Sequence, residues 1–123
     1  MLDDLRLLAF GMLDGKEKLI NERIHVATKA LEAAKDPQGE FAASKQLAEL
    51  YWELVYQGLV QGDMRRHALD QVRKHVGKAL AHHQADGGLW AIAGRMRLLE
   101  HDYDGAQKAF DMAVEKHFPL VRV

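Results

Sequence analysis

The chain has 123 residues, a formal net charge of −1 and no cysteine. This length suits one compact domain, the charge gives no overall field for nucleic acid or anionic lipid, and disulfides and thiolate chemistry are excluded. Leucine and alanine fill 34 positions, whereas valine, isoleucine and threonine fill 12, which favours helices over strands. We therefore expect one soluble all-α domain over residues 1–123, with no nucleic-acid partner and no membrane insertion of its own.

Apolar residues recur at helical spacing along the whole chain and predict six helices joined by short turns. Gly, Pro and Asp mark the turns, and Asp63 suits the N-cap of the fourth helix. The predicted breaks lie at Asp14-Gly15, at Asp36-Pro37, near Gly62-Asp63, at Asp86-Gly87 and between Leu99 and Ala106. The residues after the sixth helix, 117–123, form an apolar tail, and we expect the chain to be a piece of a longer protein.

The last third of the chain carries a repeat signature. Trp90 is followed by Ala93-Gly94, Tyr103, an Ala-x-x-x-Phe pair and a later alanine; the matched packing positions are Trp90, Gly94, Tyr103, Ala106, Phe110 and Ala113. This spacing resembles the tetratricopeptide repeat (TPR). The resemblance implies a right-handed stack of about three antiparallel helix pairs. They comprise a degenerate repeat over about 1–37, a repeat over about 40–86 with a long second helix, and the best match over 87–120.

Each matched residue type has a physical role in such a crossing. Gly94 and Ala106 are small enough for two helices to approach closely, and Trp90 and Phe110 fill the space around them. The sequence departs from the family pattern by placing Ala93 and Arg97 where leucine and tyrosine are preferred, and its proline comes one residue late. The alternative is an ordinary six-helix bundle with small residues at these offsets by chance.

A narrower resemblance covers residues 51–63, the His/Arg/Lys-rich helix that follows and the repeat at Trp90. Together they resemble the cytosolic TPR part of the PelE family, from the bacterial inner-membrane machinery that makes and exports the Pel exopolysaccharide. The resemblance implies membrane-spanning segments upstream, a location at the cytosolic face of the inner membrane, and a cyclic-di-GMP-sensing protein partner.

The sequence offers little material for catalysis or metal binding. It holds one serine, one threonine and one asparagine, with neither a nucleophile elbow nor a phosphate-binding loop. Paired acids such as Asp102 and Asp104 lie at predicted helix starts, where capping explains them. Seven histidines are present, but His67, His75 and His82 are too far apart along one helix to share an ion. We expect no enzymatic activity, cofactor or metal.

Two surfaces are candidates for binding a protein partner. In the repeat register, the first helices of the pairs line a concave groove with Trp52, Tyr56, Leu59, Arg95 and Leu98. The alternative is that Trp52 and Tyr56 pack against a neighbouring repeat.

The second candidate surface is the basic face of the fourth predicted helix. Its residues are Arg65, Arg66, Arg73, Lys74 and Lys78. Between Asp63 and His83 they give a local charge of +3, which indicates either a solvated face or a docking site for an acidic protein.

The sequence therefore predicts a non-catalytic interaction scaffold. Its specific form is a component of the Pel complex, and the alternatives are a TPR adaptor in an unrelated assembly or a helical bundle that self-associates through its apolar ends.

Overall fold

The computed structural model describes the backbone of residues 2–116 and the side chains of residues 15–116. This part of the chain is helical, as predicted, and contains five helices: α1 Leu2–Ala33, α2 Pro37–Tyr56, α3 Gly62–His82, α4 Gly87–Leu99 and α5 Tyr103–Glu115. Among the described residues, no helix has both the length and the apolar character needed to cross a membrane. The predicted tail 117–123, with the proline of the repeat match, lies outside the described residues.

The predicted break at Asp14-Gly15 is wrong, because α1 runs through it without interruption. A glycine inside a helix costs only about 1 kcal/mol relative to alanine, and no proline is present to remove a hydrogen bond. Burial of Ile20, Ile24 and Ala27 against the next helix offsets that cost. The six predicted helices are therefore five, and the segment predicted to form the first pair is a single helix.

The second predicted break, at Asp36-Pro37, is confirmed. Asp36 is the N-cap of α2, and its carboxylate accepts a hydrogen bond of 2.6 Å from the backbone N–H of Gly39. Pro37 occupies the first helical position, where its missing N–H costs nothing.

Helix α2 ends at Tyr56, earlier than predicted, and Leu59 is therefore in a loop. Gly58 has a φ of +67°, which glycine adopts without the steric cost that other residues bear. The N–H of Gly58 bonds to Val55 O at 3.1 Å and that of Leu59 to Leu54 O at 3.0 Å. This pair of bonds is a Schellman motif, and it turns Leu59 back onto the core.

Helix α3 begins at Gly62, and Asp63 does not cap it as predicted. The residue before the helix, Gln61, makes no side-chain cap. Asp63 lies in the first turn, where its carboxylate is 3.2 Å from Arg66 and its charge suits the positive end of the helix.

The helices pack as two hairpins with α1 on one side. Helix α2 pairs with α3 and α4 with α5, α1 lies against α2, and smaller contacts join α4 to α3 and α2. Two apolar clusters fill the interior: the first lies between α1, α2 and the start of α3, and the second between α2, α3 and α4. Tyr51 and Trp52 pack against both clusters, so α2 joins the two halves of the core.

The crossing of α4 and α5 contains the predicted close approach. A Cβ on Gly94 would lie 2.8 Å from a ring carbon of Phe110, and Ala106 and Ala113 are buried. Trp90 also contributes outside this crossing: it lines a groove with residues of α3, and its Nε1 donates a hydrogen bond of 2.9 Å to Gln84 O.

Tyr103 is the first residue of α5, as its predicted place at the turn requires. Its side chain is 65% exposed, so it contributes little to the packing of the helix pair. Its ring lies edge-on to that of His101, with centroids 6.2 Å apart.

Asp86 connects the second hairpin to α2. Its carboxylate caps α4 by accepting a hydrogen bond of 3.1 Å from Leu89 N, and the same carboxylate is 2.6 Å from Lys45 Nζ on α2. Burial by itself would raise the pKa of Asp86, but the hydrogen bonds from Lys45 and from the backbone of Leu89 and Gly88 outweigh it and hold the pKa below its usual value.

Two glycine substitutions test the close approach between α4 and α5. Gly94→Ala should destabilise the fold by about 1–3 kcal/mol, because the new methyl group overlaps the ring of Phe110. Gly77→Ala, in the middle of α3, meets nothing within 4 Å and should stabilise it by up to about 1 kcal/mol. Urea denaturation measures both, and equal effects of the two changes would contradict the described crossing.

A second pair of variants tests the double role of Asp86. Asp86→Ala removes both the helix cap and the ion pair and should cost about 1–2 kcal/mol. Asp86→Asn keeps an acceptor for Leu89 N and should cost clearly less. Asp36→Ala, which removes the cap of α2, is the matched control, and thermal melts of all three variants decide whether the cap or the ion pair matters more.

Candidate functional site

An open groove of about 540 Å³ lies between the C-terminal end of α2 and the middle of α4. Its described lining is Trp52, Glu53, Tyr56, Gln57 and Arg95. Three of the five residues that the repeat register assigns to a groove are therefore neighbours in space, although they come from two separate helices. We call this surface the α2–α4 groove.

Trp52 and Tyr56 have different roles in the α2–α4 groove. Trp52 is half-buried and packs against both apolar clusters, so it forms the base of the groove and also belongs to the core. Tyr56 is 77% exposed, more than any other large hydrophobic side chain that is described as exposed. Trp52 is thus partly a packing residue, whereas Tyr56 remains available for a ligand.

Leu59 and Leu98, the other two predicted groove residues, lie elsewhere. Leu59 follows the Schellman motif and packs against the first apolar cluster. Leu98 is 43% exposed near the end of α4 and is not part of the described lining. The prediction placed Leu59 in the groove because it assumed that α2 continues through residue 59. Gly58 ends α2 before that point.

The two charged side chains of the α2–α4 groove, Glu53 and Arg95, differ in whether they have a partner among the described residues. The carboxylate of Glu53 accepts a hydrogen bond of 2.6 Å from Gln57 Nε2. Arg95 is exposed and has no carboxylate within 4 Å among the described residues. An unpaired guanidinium beside two aromatic rings suits a carboxylate or an aromatic side chain of a bound segment.

The predicted basic face on α3 is partly neutralised. Arg66 pairs with Asp63 at 3.2 Å, and Arg73 pairs with Asp70 at 3.1 Å and also with Glu100 from the turn after α4. The hydrogen bond to Glu100 is the main reason why the pKa of Arg73 is raised. Sequence counting along one helix cannot include Glu100, because it comes from another element.

The remaining basic side chains of this face have no such partners. Arg65, Lys74 and Lys78 have no carboxylate within 4 Å in the described part of the chain. Lys74 and Lys78 are exposed, whereas Arg65 is half-buried.

The histidines do not converge on a metal site. Among the described residues, no group of three His, Asp or Glu side chains is placed to hold an ion. Instead, two histidines of α3 and the C-cap residue after it contact α2: His75 stacks on Tyr51 with ring centroids 6.1 Å apart, His82 is 2.9 Å from Glu40, and the ring of His83 lies 5.2 Å from that of Phe41. His75 and His82 are seven residues apart and therefore lie on one face of α3.

His75 is a residue whose role the sequence did not indicate. It is only 5% exposed, and its Nδ1 has no hydrogen-bond partner among the residues that the structure describes. Burial, assisted by the charges of Lys74 and Lys78, lowers the pKa of His75 to about 4. A period of seven between His75 and His82 is the only signal in the sequence, and it does not distinguish a buried histidine from an exposed one.

Comparisons of the chain with protein-family models, with curated proteins and with solved structures returned no match.

The burial of His75 predicts a dependence of stability on pH. Because the folded state holds the pKa near 4 and the unfolded state near 6.5, the unfolded state binds a proton first as the pH falls. Neutral His75 therefore contributes to the free energy of unfolding. This contribution is fully present above about pH 6.5 and decreases towards pH 4 by up to about 3 kcal/mol. Urea denaturation of wild type and His75→Phe at several pH values checks this, since the variant should lack that part of the acid destabilisation. Parallel pH profiles would contradict it.

Proposed function

We propose that the chain is a non-catalytic scaffold that binds a protein segment in the α2–α4 groove. The observation that carries the proposal is the combination of an exposed Tyr56 and an Arg95 without a carboxylate within 4 Å among the described residues, both beside a base formed by Trp52. Aromatic and arginine side chains provide most of the affinity at protein interfaces. Trp52 is fixed by the core, so it needs little further ordering when a ligand binds.

We propose no catalytic role for the α2–α4 groove, because the described groups whose pKa burial shifts lie outside it. Shifted pKa values often identify active sites when they gather in a cleft. Here burial raises the pKa of Glu49 and Tyr51 and lowers that of His75, and none of these residues lines the α2–α4 groove. Their shifts follow from packing between α2 and its neighbours.

We further propose that the two hairpins form a right-handed stack of the TPR type. Three observations support it: hairpins α2–α3 and α4–α5 follow one another, α4 contacts both helices of the preceding hairpin, and Gly94 and Ala106 allow α4 and α5 to approach closely. In such a stack the first helices of successive hairpins line a common surface, and the α2–α4 groove is of this kind.

The resemblance of residues 51–63 to the PelE family suggests the assembly to which this scaffold belongs. We propose that it acts in the cytoplasm at the inner face of a bacterial inner membrane, where it binds the cyclic-di-GMP-sensing component of the Pel machinery. Tyr56 and Gln57, which lie within the resembling segment, line the groove, so the similar residues and the proposed binding surface coincide.

Tyr56→Ala and Arg95→Ala should each weaken binding of that partner by about 2 kcal/mol, or roughly thirtyfold. Tyr103→Ala is the matched control, because Tyr103 is similarly exposed but lies on α5. Isothermal titration calorimetry with the purified sensing component measures the effect.

The same titration separates the general proposal from the specific one. The α2–α4 groove is the wrong surface if Tyr56→Ala and Arg95→Ala keep the wild-type affinity while Tyr103→Ala loses it. If the sensing component does not bind the wild-type chain at all, the assignment to the Pel complex is wrong.

A further inference from the structure

Two exposed helix faces of this chain carry opposite charges at the same spacing. On α3, the exposed residues Arg66, Asp70, Arg73 and Gly77 follow one another at i, i+4, i+7 and i+11; on α5, the exposed residues Asp104, Lys108, Asp111 and Glu115 do the same. This spacing places each set along one face of its helix. We call them the α3 stripe and the α5 stripe.

The two stripes are complementary when they are aligned in parallel. Arg66 then faces Asp104, Asp70 faces Lys108 and Arg73 faces Asp111, so each of the first three positions joins opposite charges. In the antiparallel alignment Arg66 faces Glu115, but Asp70 faces Asp111 and Arg73 faces Lys108, so two of the three charged pairs join like charges. The parallel alignment is therefore preferred on electrostatic grounds.

The two stripes do not pair with each other within the described part of one chain, although Arg66 and Arg73 already pair with Asp63, Asp70 and Glu100. Helices α3 and α5 do not contact each other in the described part of the chain. Asp104 and Glu115 have no basic side chain within 4 Å there, and Asp111 only accepts a hydrogen bond from Gln107. The acidic side chains of the α5 stripe are thus available to another molecule.

The fourth position of the α3 stripe allows close approach. Gly77 has nothing within 4 Å of an added Cβ, so the α3 packing gives no reason for a glycine, which costs about 1 kcal/mol there. Gly77 also borders an apolar groove with Leu80, Trp90 and Ala93. A helix lying along the stripe would bury this surface beside the ion pairs.

We propose that a second copy of this chain covers these faces, with the α3 stripe of each copy against the α5 stripe of the other. In the hairpin stack proposed above, on which this inference rests, α3 and α5 are the second helices of successive pairs and run in the same direction. A two-fold axis parallel to these helices then forms both parallel contacts at once, as an isologous dimer requires. This surface is separate from the α2–α4 groove, so the dimer would present two grooves for the proposed partner.

Analytical ultracentrifugation of the purified chain tests the proposal directly. We expect a reversible monomer–dimer equilibrium whose dissociation constant rises about tenfold between roughly 50 and 500 mM salt, because exposed charges are screened. A chain that stays monomeric at all concentrations, or a dimer that salt does not affect, would overturn the proposal.

A charge exchange identifies the surfaces. Arg66→Glu/Arg73→Glu and Asp104→Lys/Asp111→Lys should each be monomeric, because both contacts of each homodimer then join like charges. An equimolar mixture should form a heterodimer, since one of its contacts is native and the other has its charges exchanged. Circular dichroism confirms that each variant is folded. A mixture that remains monomeric while both variants are folded contradicts the pairing.

Two further variants complete the design. Lys16→Glu/Lys18→Glu reverses the same number of charges at exposed positions of α1 and should leave the dimer unchanged; if it weakens the dimer equally, net charge rather than the stripes governs association. Gly77→Gln alters no charge and should weaken the dimer about tenfold by blocking close approach. An unchanged dissociation constant would show that α3 is not at the interface.

Discussion

Packing of α4 against both α2 and α3 determines where the second hairpin lies and therefore whether a groove exists. The contact with α2 is formed in two ways: α2 and α4 share the second apolar cluster, and Asp86 caps α4 while it pairs with Lys45 on α2. The apolar cluster provides most of the favourable free energy, because burial is roughly proportional to area. The ion pair adds direction, since it fixes the first turn of α4 relative to α2.

Tyr51 and Trp52 show how one short segment serves both stability and recognition. Both pack against the two clusters, and Trp52 also forms the base of the α2–α4 groove. Truncation of Trp52 would therefore change stability and binding together. Tyr56, one turn later and largely exposed, isolates the contribution of recognition, which makes it the more informative position for mutation.

Some charged side chains of α3 form ion pairs within the chain, which the net charge of the helix does not show. Arg73 joins α3 to the turn after α4 through Glu100, and Arg66 joins Asp63 within the helix. Exposed pairs of this kind contribute about 0–1 kcal/mol each, so they are readily exchanged for pairs with another molecule. The proposed dimer uses this exchange, whereas the α2–α4 groove relies on aromatic side chains and on Arg95.

The sequence by itself determined the helical class, most of the breaks and the close approach at Gly94, because each follows from composition, helical period or local turn chemistry. It also assigned Trp52, Tyr56 and Arg95 to one groove through the spacing of the repeat. Only the tertiary structure decided that α1 continues through Gly15, that Gly58 turns Leu59 to the core, that Trp90 faces α3, and that Lys45 and Glu100 pair with distant residues. These outcomes depend on burial and on contacts between separate helices, which local sequence does not encode.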